Sequence, residues 1–395
     1  MSHLLNVYNR ADPIFVRGDG SWLYTESGEA WLDCVAGIAT NALGHCHPKL
    51  VAALAAQAQQ LWHVSNMFQV PGQEALAARL TGTCFADLAF FANSGTEAIE
   101  CALKMARRYH ASRNDNARVN VIGFQGSFHG RTHAALAAAG NLTYLEGCGP
   151  SLPGYIQLQL HNWTRVAQAI AAPDTAAVIV EPVQGEGGAR AIPGIVLQKL
   201  RAACTAAGVL LIYDEVQSGM GRTGPLFAHQ AVEDATPDIM AIAKALGAGF
   251  PVGACLATRA AAIGMTPGSH GTTFGGNPLA MAVAIAAFDE ITRPETLNHA
   301  RDVAAHLRRG LHNLQQRWPA IIAEVRGAGL LIGLRLIPNN REFMVAARHE
   351  RLLLAGGGDN CVRLLPPLTL GIAEADEAVQ RLDATCGAVS TRAAA

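Results

Sequence analysis

The sequence predicts an α/β protein, with a large unit built on a mostly parallel sheet under helices and a smaller α+β unit beside it. Three observations predict it. Short apolar, β-rich runs (LAFFA, VNVIGF, AAVIVEP, GVLLIYDE, IMAIAKA) alternate with Ala- and Leu-rich helical stretches through the middle of the chain, as strands do when helices connect them in parallel. From about Pro294 the texture changes to a long amphipathic segment, HARDVAAHLRRGLHNLQQRW. The 395 residues suffice for two domains at roughly 100 to 200 residues each.

Taken in order, residues 1–50 hold IFVRG, SWLYT and AWLDCVAG between Gly and Asp turns. These read as short strands, expected to pack with the C-terminal unit. Residues 51–293 carry the alternating runs and form the large unit. Residues 294–395 form the small one: the amphipathic helix, a strand-like GAGLLIGLRLI and a final helix around Glu374 to Ala384.

Composition excludes several classes. Half the residues are apolar and 15% are charged, too greasy for a disordered chain. Thirty Lys and Arg against 31 Asp and Glu leave a net charge of -1, which argues against nucleic acid held by bulk charge. The apolar runs fall short of the roughly 20 residues a bilayer span needs, and the polar N-terminus lacks a signal-peptide core. No membrane partner and a cytoplasmic location are expected. Nine cysteines without a CxxC pair suggest neither a disulfide framework nor a zinc site. Nor do His45, Cys46 and His47, because adjacent residues in one loop rarely give tetrahedral geometry.

In FFANSGTEAIECALKMARRYH an apolar strand runs into a tight loop and a helix start. Ser94 and Glu97 have capping-box spacing, and the first-turn N–H groups with two hydroxyls make an anion site. Alone, this is also an ordinary helix cap. Downstream, Asp214 ends the apolar strand GVLLIYDE, where ligands of open α/β sheets collect. A carboxylate there needs a cationic or N–H partner, which a cofactor's ring nitrogen or the following loop provides. The string Gly219-Met220-Gly221-Arg222-Thr223-Gly224 fits the dinucleotide pattern of a nicotinamide oxidoreductase. Its context does not, since four residues separate strand from glycine and Gly224-Pro225 stops any helix.

Lys244, one of four lysines in the chain, follows an apolar strand and precedes a glycine-rich turn. Burial favours the neutral amine that forms Schiff bases, although a strand-end lysine also often reaches solvent. An anion cradle, an Asp at one strand end and a Lys at the next, in this chain order, are the parts that pyridoxal phosphate requires.

The strings NALGHCHPKL, LWHVSNMF, NSGTEAIE, SFHGRT, EPVQGEGG, DEVQSGMGRTG, KALGAGFPVGA, HGTTFGGNPLA and VRLLPPL strongly resemble the class III, fold type I aminotransferases. The resemblance runs from about Tyr8 to Ala384 and is closest to members that act on N2-acetylornithine. It implies a pyridoxal 5'-phosphate enzyme passing the donor's terminal amino group to 2-oxoglutarate. It also implies Lys244 as the Schiff-base and proton-transfer lysine, and Asp214 on the pyridine nitrogen. Phe128 and Val216 lie on the two ring faces and Gln217 meets the phenolic oxygen. Ser94, Gly95 and Thr96 meet the phosphate, as does Thr273 from the neighbouring subunit of a homodimer. For substrate it implies Arg131 on a carboxylate, Thr272 as a further contact, and Arg363 with Glu186 as an ion pair that opens for the second carboxylate of 2-oxoglutarate. His129 is expected to support or pack rather than act as general base. Thr272 stands where the family often has Ser, and Ile99 where Asn is common. Succinylornithine, succinyl-diaminopimelate, ornithine and 4-aminobutyrate remain alternative donors.

Overall fold

The computed structural model describes residues 3–394. At its centre lies a seven-stranded sheet, ordered Leu88–Ala92, Gly253–Ala257, Ile239–Ile242, Leu210–Asp214, Thr175–Val180, Asn120–Phe124, Tyr155–Leu158. Only Gly253–Ala257 runs against its neighbours, so the sheet is mostly parallel, as expected. Five strands coincide with the apolar runs. The other two, GACLA and YIQL, do not stand out in the sequence, because one is made of small residues and the other is a short edge strand.

Alternation along each strand splits the core into two layers. In Thr175–Val180, Ala177 and Ile179 pack on one face with Ala98, Ala102 and Met105 of helix Gly95–Ala111. Val178 and Val180 pack on the other face with Leu197 and Leu200 of helix Gly194–Ala207. A strand buried on both faces reads as a continuous apolar run, and each buried Val, Leu or Ile contributes about 1.5 to 3 kcal/mol. The parallel strands therefore end together at one edge, where Asp214 closes its strand and Asn93, Glu181 and Ala243 follow theirs.

A second sheet, antiparallel, holds Ile322–Ala328, Leu331–Leu336, Cys361–Leu364 and Ala355–Gly357. GAGLLIGLRLI is thus not one strand but the end of one, a turn and the next. Gly329 turns there with a φ of 52°, and a Cβ on it would lie 2.6 Å from the Arg222 carbonyl oxygen. The N-terminal strands Phe15–Asp19, Trp22–Thr25 and Ala30–Asp33 pair in sequence and gain Leu352–Leu353 as a parallel neighbour. Trp22 Nε1 also donates to Glu374 Oε1 at 2.8 Å, so these strands do meet the C-terminal part. The last helix, Ile372–Ala394, outruns its expected end because Cys386 and Val389 still pack on the core. Among the described residues, no helix is long and apolar enough to cross a membrane.

Candidate active site

At the strand-end edge a cavity of about 410 Å³ opens. Ten of the thirteen residues singled out from the sequence line it: Ser94, Gly95, Thr96, Phe128, Arg131, Glu186, Asp214, Val216, Gln217 and Lys244.

Its floor is a set of buried titratable groups. Asp214 Oδ2 lies 2.7 Å from His129 Nδ1, and its Oδ1 accepts the Val216 N–H at 3.0 Å. Burial pulls the His129 imidazolium down, but the hydrogen bond and charge of Asp214 outweigh it, leaving His129 above its ordinary pKa. His129 Nε2, also buried, has no partner among the described residues. Glu181 accepts N–H groups of Phe128 at 2.8 Å and Gly185 at 3.1 Å. Burial first, then the charge of Asp214, pushes its pKa up.

Lys244 opens the short turn Lys244–Leu246 with a φ of 45°, a left-handed conformation that costs of order 1 to 3 kcal/mol and clusters at functional sites. Its side chain is enclosed by protein while part of its surface stays open to the cavity. Loss of bulk water pulls the ammonium pKa down to about 8; the charge of Glu186 opposes this and that of Arg363 adds to it.

The wall at helix Gly95–Ala111 presents first-turn N–H groups that no helical carbonyl satisfies. Ser94 Oγ accepts the Glu97 N–H at 3.3 Å and donates to Glu97 Oε2 at 2.9 Å. The box differs from the expected one: Glu97 Oε2 takes the N–H of Asn93 at 2.8 Å, because the Asn93 side chain also holds Glu97 Oε1 at 2.9 Å. Gly95 allows a close approach, since a Cβ there would meet Val216 Cγ1 at 2.7 Å. An anion on this turn, a ring between Phe128 and Val216 and an amine on Lys244 thus find a compatible site in one cavity.

Three singled-out residues lie outside the lining. Arg363 is buried behind it, its Nη1 at 3.0 Å from Gln217 Oε1 and 2.8 Å from Glu186 Oε1. Thr272 Oγ1 is held by Asn93 Nδ2 at 3.3 Å and the Gly275 N–H at 3.2 Å. Thr273 is exposed and away from its own chain's cavity. Arg131 is also exposed, with its guanidinium carbon 3.7 Å from the Tyr144 ring centroid. Sequence reasoning did not single out Glu181, Asn93 or Tyr144. The first two directly follow apolar strands, and the strand-end rule that found Asp214 finds them too. No local pattern marks Tyr144.

The Aminotransferase class-III family model matches residues 7–386. An acetylornithine aminotransferase of Caulobacter vibrioides is 59% identical over 100% of this chain and 97% of its own length. That of Agrobacterium fabrum is 51% identical, over 99% and 98%. Among solved structures, N-acetylornithine aminotransferase from Stenotrophomonas maltophilia superposes with a TM-score of 0.85 at 34% identity, covering 98% of both chains. A PLP-bound amine transaminase from an uncultivated Pseudomonas species gives 0.89 at 30% identity, over 98% and 97%. With the family model spanning nearly the whole sequence and full-length relatives more than half identical, the chain belongs to the class-III aminotransferases.

Proposed function

We propose that this chain moves the terminal amino group of N2-acetylornithine to 2-oxoglutarate, giving N-acetylglutamate 5-semialdehyde and glutamate, as a cytoplasmic step of arginine biosynthesis. The observation that carries the reading is Lys244, a desolvated amine in one cavity with Asp214 and the helix start at Gly95, in a chain whose full-length relatives bear that activity in their names. When bound, pyridoxal phosphate supplies an aldehyde that exchanges amines and a pyridinium ring that draws electrons from the donor carbon.

The chain's own residues do the rest. Lys244, with a pKa near 8, holds or releases a proton around neutral pH and moves it at the donor carbon. Asp214, held in place by His129 and the Val216 N–H, would face the ring nitrogen and hold its proton. Phe128 and Val216 would bracket the ring, Gln217 would reach the phenolic oxygen, and Gly95 and Thr96, with Ser94 beside them, would hold the phosphate. Thr273, exposed on its own chain, would complete that phosphate site from the second copy in a homodimer. Arg131 would take a substrate carboxylate and Thr272 would make a further substrate contact. Glu186 neutralises Arg363 while an amine is bound and yields it to the second carboxylate of 2-oxoglutarate. Residues 51–293 would serve as the cofactor unit, and 294–395, with 1–50 packed on it, as the unit bearing Arg363.

A donor panel with 2-oxoglutarate as acceptor tests the reading. N2-acetylornithine should give the highest kcat/KM, with ping-pong kinetics. A higher value for ornithine or 4-aminobutyrate would replace the donor within the family.

A further inference from the structure

The glycine-rich string that imitates a dinucleotide motif, Gly219 to Gly224, carries an arginine with a different task. Arg222 is among the largest fully buried side chains, 1% exposed, and no carboxylate pairs with it among the described residues. Burial alone pulls its pKa down, to about 9, so it stays protonated at neutral pH. A buried charge without an acid costs free energy, and its Nε and Nη2 have no partner among the described residues. What the side chain does make is a bridge. Its Nη1 donates to the carbonyl oxygens of Leu330 at 3.2 Å and Pro366 at 2.5 Å, and its own carbonyl accepts the Leu330 N–H at 2.9 Å.

Those partners belong to the second sheet. Leu330 precedes Leu331–Leu336 and Pro366 follows Cys361–Leu364, antiparallel neighbours with Ile332 opposite Leu364 and Gly333 opposite Arg363. One guanidinium nitrogen thus joins both strands at the end next to Arg363. The loop it comes from begins at Asp214. Glu215 fixes that loop, its carboxylate accepting the His229 N–H at 2.9 Å and its carbonyl the Gly219 N–H at 3.0 Å, while Thr223 Oγ1 donates to the Ser218 carbonyl at 3.0 Å. Gln217 of the same loop accepts Arg363 Nη1 at 3.0 Å. The loop therefore holds Arg363 twice, at its tip through Gln217 and at its strand through Arg222. Arg363 Nε also donates to the Gly356 carbonyl of its own sheet at 3.0 Å, so the guanidinium goes where the sheet goes. The two holds differ in kind. In the switch set out above the tip changes partners when a carboxylate arrives, whereas the Arg222 contacts are made to backbone carbonyls and stay.

We propose that Arg222 is a positioning residue for the acceptor half of the reaction: by clamping the second sheet to the Asp214 loop, it sets where the Arg363 guanidinium meets the second carboxylate of 2-oxoglutarate. The proposal rests on the reading of Arg363 above. Ping-pong kinetics of the holoenzyme separate the halves, since kcat/KM for each substrate reports its own half-reaction. Arg222→Met removes the donors together with the charge and should lower kcat/KM for 2-oxoglutarate about ten-fold, the scale of one charge-assisted hydrogen bond. That for N2-acetylornithine should stay within about two-fold of wild type. Arg222→Lys, which keeps the charge and a donor, should show a smaller loss on the same side. In an Arg363→Lys background Arg222→Met should add less than about two-fold, because its effect runs through a guanidinium no longer there. Equal loss in both halves, by misfolding or otherwise, or the full ten-fold loss repeated in the Arg363→Lys background, overturns the clamp alone. If Arg363→Lys by itself leaves the 2-oxoglutarate-to-N2-acetylornithine ratio of kcat/KM unmoved, the reading of Arg363 fails and the clamp falls with it.

Discussion

The floor and the rim of the Lys244 cavity are built on opposite principles. On the floor, Asp214, His129 and Glu181 are buried at the ends of core strands or just beyond them, each fixed by short hydrogen bonds. At the rim, Arg131 is exposed against an aromatic ring, and Glu186, partly exposed, is held by one buried arginine. Rigid strand ends set the protonation of groups that do chemistry on every substrate. In the proposed reaction, loops and the second sheet present charges whose pairing would change from one substrate to the next. The difference predicts two kinds of variant: floor changes lower turnover alike for all donors, and rim changes alter ratios between substrates.

The sharpest test of the floor is Lys244→Ala, which should cut turnover about ten-thousand-fold for every donor and abolish the visible band of lysine-bound cofactor. Retention of that band would remove Lys244 from its proposed place. Asp214→Asn should follow, with turnover lower by about a hundredfold and cofactor still bound, because an amide cannot hold the ring nitrogen protonated. Full activity in this variant would detach Asp214 from the reaction.

The floor also predicts how the cofactor-free chain responds to pH. Lys244 is pulled from its ordinary 10.5 to about 8, so between these values the unfolded chain binds more protons than the folded one. Its contribution to stability therefore rises with pH from about 8 to 10.5, by on the order of 3 kcal/mol. His129 has the opposite sign: its raised pKa gives stability that is present at acid pH and lost as pH climbs through the folded value. Denaturant unfolding of wild type and Lys244→Met across pH 7 to 11 measures the Lys244 contribution. A rise persisting unchanged in the Met variant would mean another group causes it.

The smallest expected effect belongs to the rim. Glu186→Gln should free Arg363 to hold carboxylates throughout the cycle, raising the glutamate-to-N2-acetylornithine ratio of kcat/KM about ten-fold, the scale of one charge-assisted hydrogen bond. Equal proportional losses on both substrates would make the pair structural.

The floor was also the legible part of the sequence. Asp214 and Lys244 each follow an apolar run, and Ser94 to Thr96 sit between a strand and a helix start, so local pattern alone locates them. Glu181 ends the run AAVIVE in the same way and is recoverable by the same rule. The rim carries no such signal. Arg363 lies 177 residues from its Glu186 partner, Tyr144 sits on a four-residue helix, and their meeting depends on how the second sheet and the loops fold back. Arg131, Arg363 and Glu186 follow from the resemblance, not from periodicity, and Tyr144 from neither. The missed strand Gly253–Ala257 shows the converse: enclosed in the sheet, it is apolar but holds no β-branched or aromatic residue and so carries no strand signal.

The central claim, that this cavity passes a terminal amine to 2-oxoglutarate, is tested most directly by following the nitrogen itself. N2-acetylornithine labelled with heavy nitrogen only at its terminal amine, mixed with unlabelled 2-oxoglutarate and the purified holoenzyme, should yield glutamate carrying the label, matched one for one by the semialdehyde. Unlabelled glutamate, or label left in the donor while another amine in the panel reacts, would contradict the account.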